Sequence, residues 1–400
     1  MSIFQKQDQQ KHAGAVASAA TTGADDAAKI GTGSAAAAEA IAGGETSGAV
    51  NEFQQPVEGV SLTKDAWRRL KKNWMAMAGL VIVIVYALLS ITAPILPIHS
   101  FRYQISEHRD LPPSLTKTAG ELWYERVETR MYALAERAGR SELNDDERAE
   151  LAEITQRIAE ETAEIEGKLV RVHDRRYLFG TDHLGRDLLS RIIYGGQISI
   201  AIGLIGTITS VLIGIVLGSV AGYVGGKTDY LIMRFVDVMY GLPYMLLVII
   251  MMAIFGRNIF NLFLALSLVS WLVVARVVRG QIISLKNSEF VEAAKSMGAS
   301  QGRIIFRHLI PNTAGIIIVF ATLRIPAFIM QESFLSFLGL GISAPFASWG
   351  SLVSDAVERM NTAPWQLFFP AAAMTLFLFA MNFLGDGLRD AFDPHSKNQL

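Results

Sequence analysis

The chain has 400 residues, 51% of them apolar, and a formal net charge of −1. That balance gives no basic bias toward nucleic acid. There is no cysteine, which excludes disulfides, thiolate metal sites and cysteine nucleophiles.

Residues 1–60 are polar and rich in Ala, Gly, Thr and Ser, and "GTGSAAAAEAIAGGETSG" reads as a low-complexity, disordered tail. They hold no early apolar core, so no cleavable signal peptide is expected. "KDAWRRLKKNW" follows, an amphipathic lead-in carrying Lys64, Arg68, Arg69, Lys71 and Lys72. Six apolar runs then reach the roughly 20 residues that a helix needs to cross a hydrocarbon core of about 30 Å. They lie at 75–97, 196–222, 230–255, 259–279, 313–338 and 366–387. The fold class expected is all-α, a polytopic membrane protein with six transmembrane helices.

Details within the runs sharpen this expectation. Arg234 and Asp237 sit three residues apart at the start of the third run, so they share a helix face and are expected to pair. Pro243 is expected to kink that span. Gly203, Gly206, Gly214, Gly218 and Gly222 in the second run include two GxxxG spacings. They mark close helix packing, within a bundle or at a subunit interface. In the fifth run Arg324 and Glu332 are eight residues apart, about 12 Å along a helix and roughly 80° round it. They are poor partners for each other. Glu332 is expected near the outer end, either hydrated or facing a translocation path.

Basic residues set the orientation. The lead-in places the N-terminus in the cytoplasm, and six spans return the C-terminus to the same side. Lys227 then falls in one cytoplasmic connection. Arg279, Lys286, Lys295, Arg303 and Arg307 flank or occupy another, and Arg389 and Lys397 belong to the tail. The long connection at 98–195 faces outward. Leu122, Val127, Met131 and Leu134 recur at helical spacing there, as do Leu151, Ile154, Ile158, Ile165 and Leu169. With Gly139 as a stop and Ser141 or Asn144 as a cap, this predicts an antiparallel helical hairpin over 119–138 and 144–169. Its charged, net acidic surface fits a solvated spacer or a docking element.

The cytoplasmic connection "EFVEAAKSMGASQGRIIFRHLIPN", Glu289 to Asn312, is longer than a turn requires. It predicts a short helix, a glycine turn and a second helix. Glu292 falls near the first helix start, where a carboxylate suits the macrodipole. Ala293 and Ala294 offer a small packing surface. Gly298 permits the turn, and Pro311 marks re-entry into the next span. A helix pair of this kind either presses into a groove of another protein or is an ordinary long loop.

Enzyme signatures are missing from the sequence. The seven histidines form no HExxH or other compact ligand set. There is no Walker A sequence and no GxSxG elbow. The paired glycines at 195–196 and 225–226 sit at span ends, where turns explain them.

"EAAKSMG" followed by "RHLIPN" resembles the EAA loop of permease subunits of bacterial ABC importers, with His308 where many families carry Ile. "DAWRRLKKNWMAMAGLVIV", "FGTDHLGRDLLSRIIYGGQISI", "ESFLSFLGLGISAPFASWGSLVSDA" and "MNFLGDGLRDAFDP" resemble the C-type subunit of the dipeptide, oligopeptide and nickel branch. The resemblance covers about 60–98 and 176–395. Together with the composition and spacing read above, it divides the chain into a disordered cytoplasmic tail (1–60), a lead-in with the first span (61–98), an outer helical hairpin insertion (99–176), a five-span permease core (177–395) and a tail end (396–400). The tail and the insertion have no counterpart in the family pattern.

The resemblance further implies a multi-pass protein of the bacterial inner membrane that imports di- or oligopeptides. Its partners would be a second, B-type permease, two cytoplasmic ATPase subunits and an extracytoplasmic substrate-binding protein. No cofactor and no catalytic site are implied in this chain; ATP and Mg would bind the ATPase subunits. Glu292, Ala293, Ala294, Gly298, Arg307, His308 and Pro311 occupy the matching positions of the coupling loop. Similar proteins carry nickel chelates, glutathione or sugars. Two readings from other classes are a membrane-tethered scaffold whose acidic hairpin is the working part, and a stand-alone channel.

Overall fold

The computed structural model describes residues 62–392 except 166, 257 and 343; the tails expected at 1–60 and 396–400 lie outside them. Helix α1 (Leu62–Lys72) is amphipathic, with Ala66 and Leu70 buried. Asn73 ends it and caps α2 (Trp74–Thr92), its side chain accepting from Ala76 N at 3.1 Å. The buried face of α1 packs with Ala76 on Leu384 and Ala391 of the last helix, α12 (Trp365–Phe392).

The second span is longer than its apolar run. Helix α5 (Leu188–Val224) starts eight residues early because the Asp187 carboxylate caps it, accepting from Ser190 N at 3.1 Å. Its glycines seat α8 (Ile259–Leu285) against it. A Cβ at Gly214 would lie 2.5 Å from Val274 Cβ, and one at Gly218 would lie 2.5 Å from the Ala275 carbonyl oxygen. Small residues let backbones approach where lipid gives no hydrophobic drive. Of the two packings the GxxxG pattern allows, the one adopted is within the bundle.

The third span is broken rather than kinked. Helices α6 (Gly226–Tyr240) and α7 (Tyr244–Phe255) meet at 83° across Gly241, Leu242 and Pro243. Proline at the break has no N–H to give and disfavours helix in the residue before it. Asp237 pairs with Arg276 of α8 at 2.7 Å, not with Arg234, which lies over the Tyr230 ring. Asp229 takes Arg279 of α8 at 2.6 Å. Charges on one helix face thus found better partners on the neighbouring helix. Five described helices are long and apolar enough to cross a membrane, and six spans result if the bent pair counts as one.

After α8 the short helix α9 (Glu289–Ser296) precedes a continuous helix α10 (Gln301–Phe337). A further helix, α11 (Trp349–Val357), lies between α10 and α12. Its apolar side, Trp349, Leu352 and Ala356, is buried. Only the i, i+3, i+7 spacing of those residues and the Ser348–Ser351 capping pair announce it in the sequence.

The insertion between α2 and α5 holds the expected helix pair, α3 (Ala119–Arg137) and α4 (Asp145–Glu160), each opened by a capping box. Asn144 is the cap of α4, and Gly139 follows α3 at φ 75°. Met131, Ala135, Leu143 and Leu151 form their core, while Leu134 points outward. The second helix does not continue to 169. Glu161 is extended, and β1 (Thr162–Ile165) pairs antiparallel with β2 (Lys168–Arg171). Ile165 is buried on β1 and Leu169 is exposed on β2. Local β-hairpin chemistry prevailed: a β-branched residue opens β1, and Gly167 at φ 77° lies in the turn.

Beneath this helix pair lies a buried chain of side chains. Tyr177 Oη lies 2.9 Å from His108 Nδ1, His108 Nε2 lies 2.9 Å from His173 Nδ1, and His173 Nε2 lies 3.2 Å from Glu161. Trp123 stacks on His173. Burial, then the facing His173, Arg175, Arg126 and His99, push the His108 pKa down to about 3. Below about pH 6.5 the unfolded chain binds a proton at His108 that the folded chain refuses. Stability therefore falls with acid, by at most about 1.4 kcal/mol per pH unit, until pH approaches 3. Limited proteolysis of the full chain at pH 7.5, 6 and 4.5 should show increasing cleavage of 99–176. A His108→Asn variant should flatten that trend, and an equal trend in both proteins refutes the assignment to His108.

Candidate coupling surface

The loop 289–311 is built as a rigid elbow. Ser288 ends the connection from α8 in extended geometry, and Glu289 and Glu292 occupy the first turn of α9. One face of that short helix is apolar. Val291 and Ala294 are buried against Ile282 of α8 and against Ile304, Ile305 and Leu309 of α10. The two alanines therefore do not form one surface. Ala294 faces the core and Ala293 is exposed, as a step of about 100° per residue requires.

Helix α9 ends in a Schellman arrangement. Gly298 N donates to the Lys295 carbonyl at 2.9 Å, and Ala299 N donates to the Ala294 carbonyl at 3.0 Å. Gly298 carries φ 78°, and a Cβ there would meet nothing within 4 Å. Glycine is needed for its backbone, not for room. Ser300 then opens α10, its hydroxyl accepting from Arg303 N.

Pro311 stands in the first turn of the α-helical stretch Ile310–Phe337, as expected, but that stretch is not the start of the whole helix. Helix α10 already runs from Gln301, and a π-turn at Ile305–Leu309 precedes the proline. The wider turn relieves the clash that a proline ring makes with the carbonyl four residues back. Arg307 and His308 lie in this turn, with Arg307 exposed and His308 half-buried. The His308 carbonyl accepts from Asn312 Nδ2 at 2.7 Å.

The outward side of the elbow gathers Glu292, Ala293, Gly298 and Arg307 with three large apolar side chains. Phe290 is 38% exposed, Phe306 60% and Met297 80%. Exposed large apolar side chains interspersed with charge are the composition of a docking surface. Nothing in the sequence distinguishes the exposed Phe290, Met297 and Phe306 from core residues.

Glu332 lies elsewhere, wholly enclosed. Its Oε1 accepts from Ser336 Oγ and Ser348 Oγ, each at 2.6 Å. Ser348 is also the cap of α11. Glu332 therefore ties α10 to the start of α11, and in this conformation it has no surface to offer either water or a pathway.

"FGTDHLGRDLLSR" folds into a second enclosed cluster at the head of α5. Asp182 accepts from Leu184 N and Arg186 N at 2.9 Å, from Arg186 Nε at 2.7 Å and from Arg191 Nη1 at 2.6 Å. Burial alone would raise the Asp182 pKa; Arg191, Arg186 and the two N–H donors outweigh it and hold the carboxyl below its ordinary value.

Comparison with known proteins agrees with this layout. Residues 214–398 match the model of the binding-protein-dependent transport system inner membrane component, and residues 61–113 match the N-terminal TM domain of oligopeptide transport permease C. The oligopeptide transport system permease protein OppC of Haemophilus influenzae is 51% identical over 221 residues, 55% of this chain and 71% of that protein. The dipeptide transport system permease protein DppC of Bacillus subtilis is 40% identical over 84% of this chain and 86% of its own length. OppC of Escherichia coli is 38% identical over 85% and 94%. With the helical bundle, the elbow and these matches together, the chain belongs to the family of binding-protein-dependent transport permeases of bacterial ABC importers, on its C-type branch.

Proposed function

We propose that the protein is one of two membrane subunits of an ATP-driven importer of di- or oligopeptides. The elbow at 289–309 carries this reading. It is rigid, it presents unpartnered apolar side chains, and it joins α8 to α10 through the buried Val291 and Ala294. A force applied to α9 is therefore transmitted to two spans. In the complex, α9 sits in a groove of a cytoplasmic ATPase subunit, with Glu292, Ala293, Gly298 and Arg307 at the contact. ATP and Mg bind the ATPases, and this chain supplies no catalytic group. A B-type permease completes the path, and an extracytoplasmic binding protein delivers the substrate. The names of the relatives support a peptide as that substrate.

In this arrangement the termini and the elbow face the cytoplasm, and the insertion at 99–176 faces outward. The basic lead-in and the Arg and Lys around α9 support that orientation. Affinity purification of the tagged chain should bring two ATPases and a second permease. An impermeant thiol reagent should label Ser141→Cys and Ser300→Cys from opposite sides of the membrane. Capture of no ATPase, or labelling of both positions from one side, overturns the reading.

A further inference from the structure

The break between α6 and α7 opens a cavity of about 400 Å³ lined by Tyr240, Tyr244, Ser270, Arg324 and Gln331, with apolar walls that include Leu242 and Val269. That volume lies within the range of about 300–1,000 Å³ typical of small-ligand pockets. Its depth is central. Arg324 lies about 20 Å at 1.5 Å per residue from either end of Ile310–Phe337, the part of α10 that follows the π-turn. Ser270 lies midway along α8, and Tyr244 stands at the break itself. Secondary transporters place substrate sites at discontinuous helices near mid-membrane, and the same geometry is present here.

Arg324 is the anomaly in this cavity. A guanidinium within a span is costly unless it is paired. Here Nη2 donates weakly to the Ser270 carbonyl at 3.3 Å, the group lies over the Phe328 ring, and Nε is buried with no partner. Among the described residues no carboxylate forms an ion pair with it. Asp237, at the near end of α6, is held by Arg276, and Glu332 is held by two serines. The remaining groups add donors. Tyr244 Oη donates to Gln331 Oε1 at 2.8 Å, and with that acceptor engaged the Gln331 amide donors remain for a ligand. Pro243 precedes α7 with no side-chain cap, so the positive end of that helix opens toward the break.

A cavity with a planar forked cation, amide donors and a helix N-terminus, and no anion of its own, calls for a carboxylate. Two-oxygen acceptors match the guanidinium fork. We infer that Arg324 receives the C-terminal carboxylate of the peptide in transit, with the terminal side chain against the apolar walls. This rests on the peptide-importer reading and deepens it. Every unmodified linear peptide presents that carboxylate whatever its sequence, so the site recognises the substrate class without selecting side chains.

The test uses the reconstituted complex and two forms of one peptide, free acid and C-terminal amide, each preloaded on the binding protein. Wild type should import the acid faster by roughly tenfold, the scale of a charge-assisted hydrogen bond. Arg324→Gln should bring the acid-to-amide ratio close to 1, and Arg324→Lys should keep part of it. A wild-type ratio near 1 overturns the inference without any variant. So does an unchanged ratio in Arg324→Gln, including an equal loss for both peptides, which would assign Arg324 to an acidic side chain of the second permease. Wild type that imports neither form refutes the peptide reading and the inference with it, so the two failures are distinguishable.

Discussion

Gly298→Val is expected to reduce ATP-driven uptake by more than tenfold while the protein still inserts. Its φ of 78° lies in the left-handed region, and no neighbour crowds the position. Valine is therefore penalised by the backbone alone, by about 1–2 kcal/mol and more for a β-branched residue. That strain falls on the two hydrogen bonds that fix the angle of α9 against α10. The buried cluster around Val291 and Ile304 gives the bundle other support, so what changes is the direction in which α9 presents Glu292, Met297 and Phe306. Coupling between sites depends on such an element having defined contacts in each state. Glu292→Lys tests the same surface differently. It places a cation in the first turn of α9, against the helix dipole, and reverses a charge at an interface, where the cost reaches several kcal/mol in order of magnitude. ATPase capture and uptake by the reconstituted complex are the measurements. Normal values for both variants would sink the coupling role of the elbow.

Asp182→Ala should be the most destabilising single change outside the spans. Arg186 and Arg191 are each 3% exposed, and both donate to Asp182. Deleting the carboxylate leaves two buried guanidiniums without their hydrogen-bonded partner and with only the charge of nearby Asp355, at a cost of up to about 3–5 kcal/mol. The same loss unties the loop that starts α5. Thermal unfolding in detergent should show a clear drop in midpoint, and proteolysis should open the segment 176–187. The pH dependence has a definite sign. The Asp182 carboxyl is held below its ordinary value, so its stabilisation is complete above the unfolded pKa near 4 and is lost as pH falls through the lower folded value. Asp182 therefore adds nothing to the acid sensitivity expected between pH 6.5 and 4.5 from His108, whose pKa is pushed down to about 3 by burial first. A wild-type midpoint in Asp182→Ala would show that the cluster contributes no net stability.

Much of the architecture was legible because its causes are local. Apolar runs of spanning length mark helices wherever they lie, and five of the expected spans appear as single helices. The cap at Asn144 and the turn at Gly298 are properties of a few adjacent residues, and each stands where its chemistry put it. Extrapolation failed where a periodic stripe was carried past a local signal. Ile165 and Leu169 continue the spacing of Leu151 and Ile154, yet the chain leaves the helix at Glu161 and turns through Gly167.

The sequence by itself determined where the spanning helices and the first helix of the outer pair lie, and that a helix with a glycine elbow interrupts the spans. Those features follow from hydropathy, helix periodicity and backbone preference, which act over a few residues. Partners across the bundle were decided only by the tertiary structure. Asp237 could have taken Arg234 on its own helix and took Arg276 instead. Glu332 could have faced water and was enclosed by Ser336 and Ser348. Pro243 could have kinked one span and instead separates two helices at 83°, with Arg324 facing the space between. A side chain's neighbours on other helices depend on the rotation and depth of every helix at once. Those are fixed by close packing, such as Gly214 and Gly218 against Val274 and Ala275, and not by any stretch of sequence read alone.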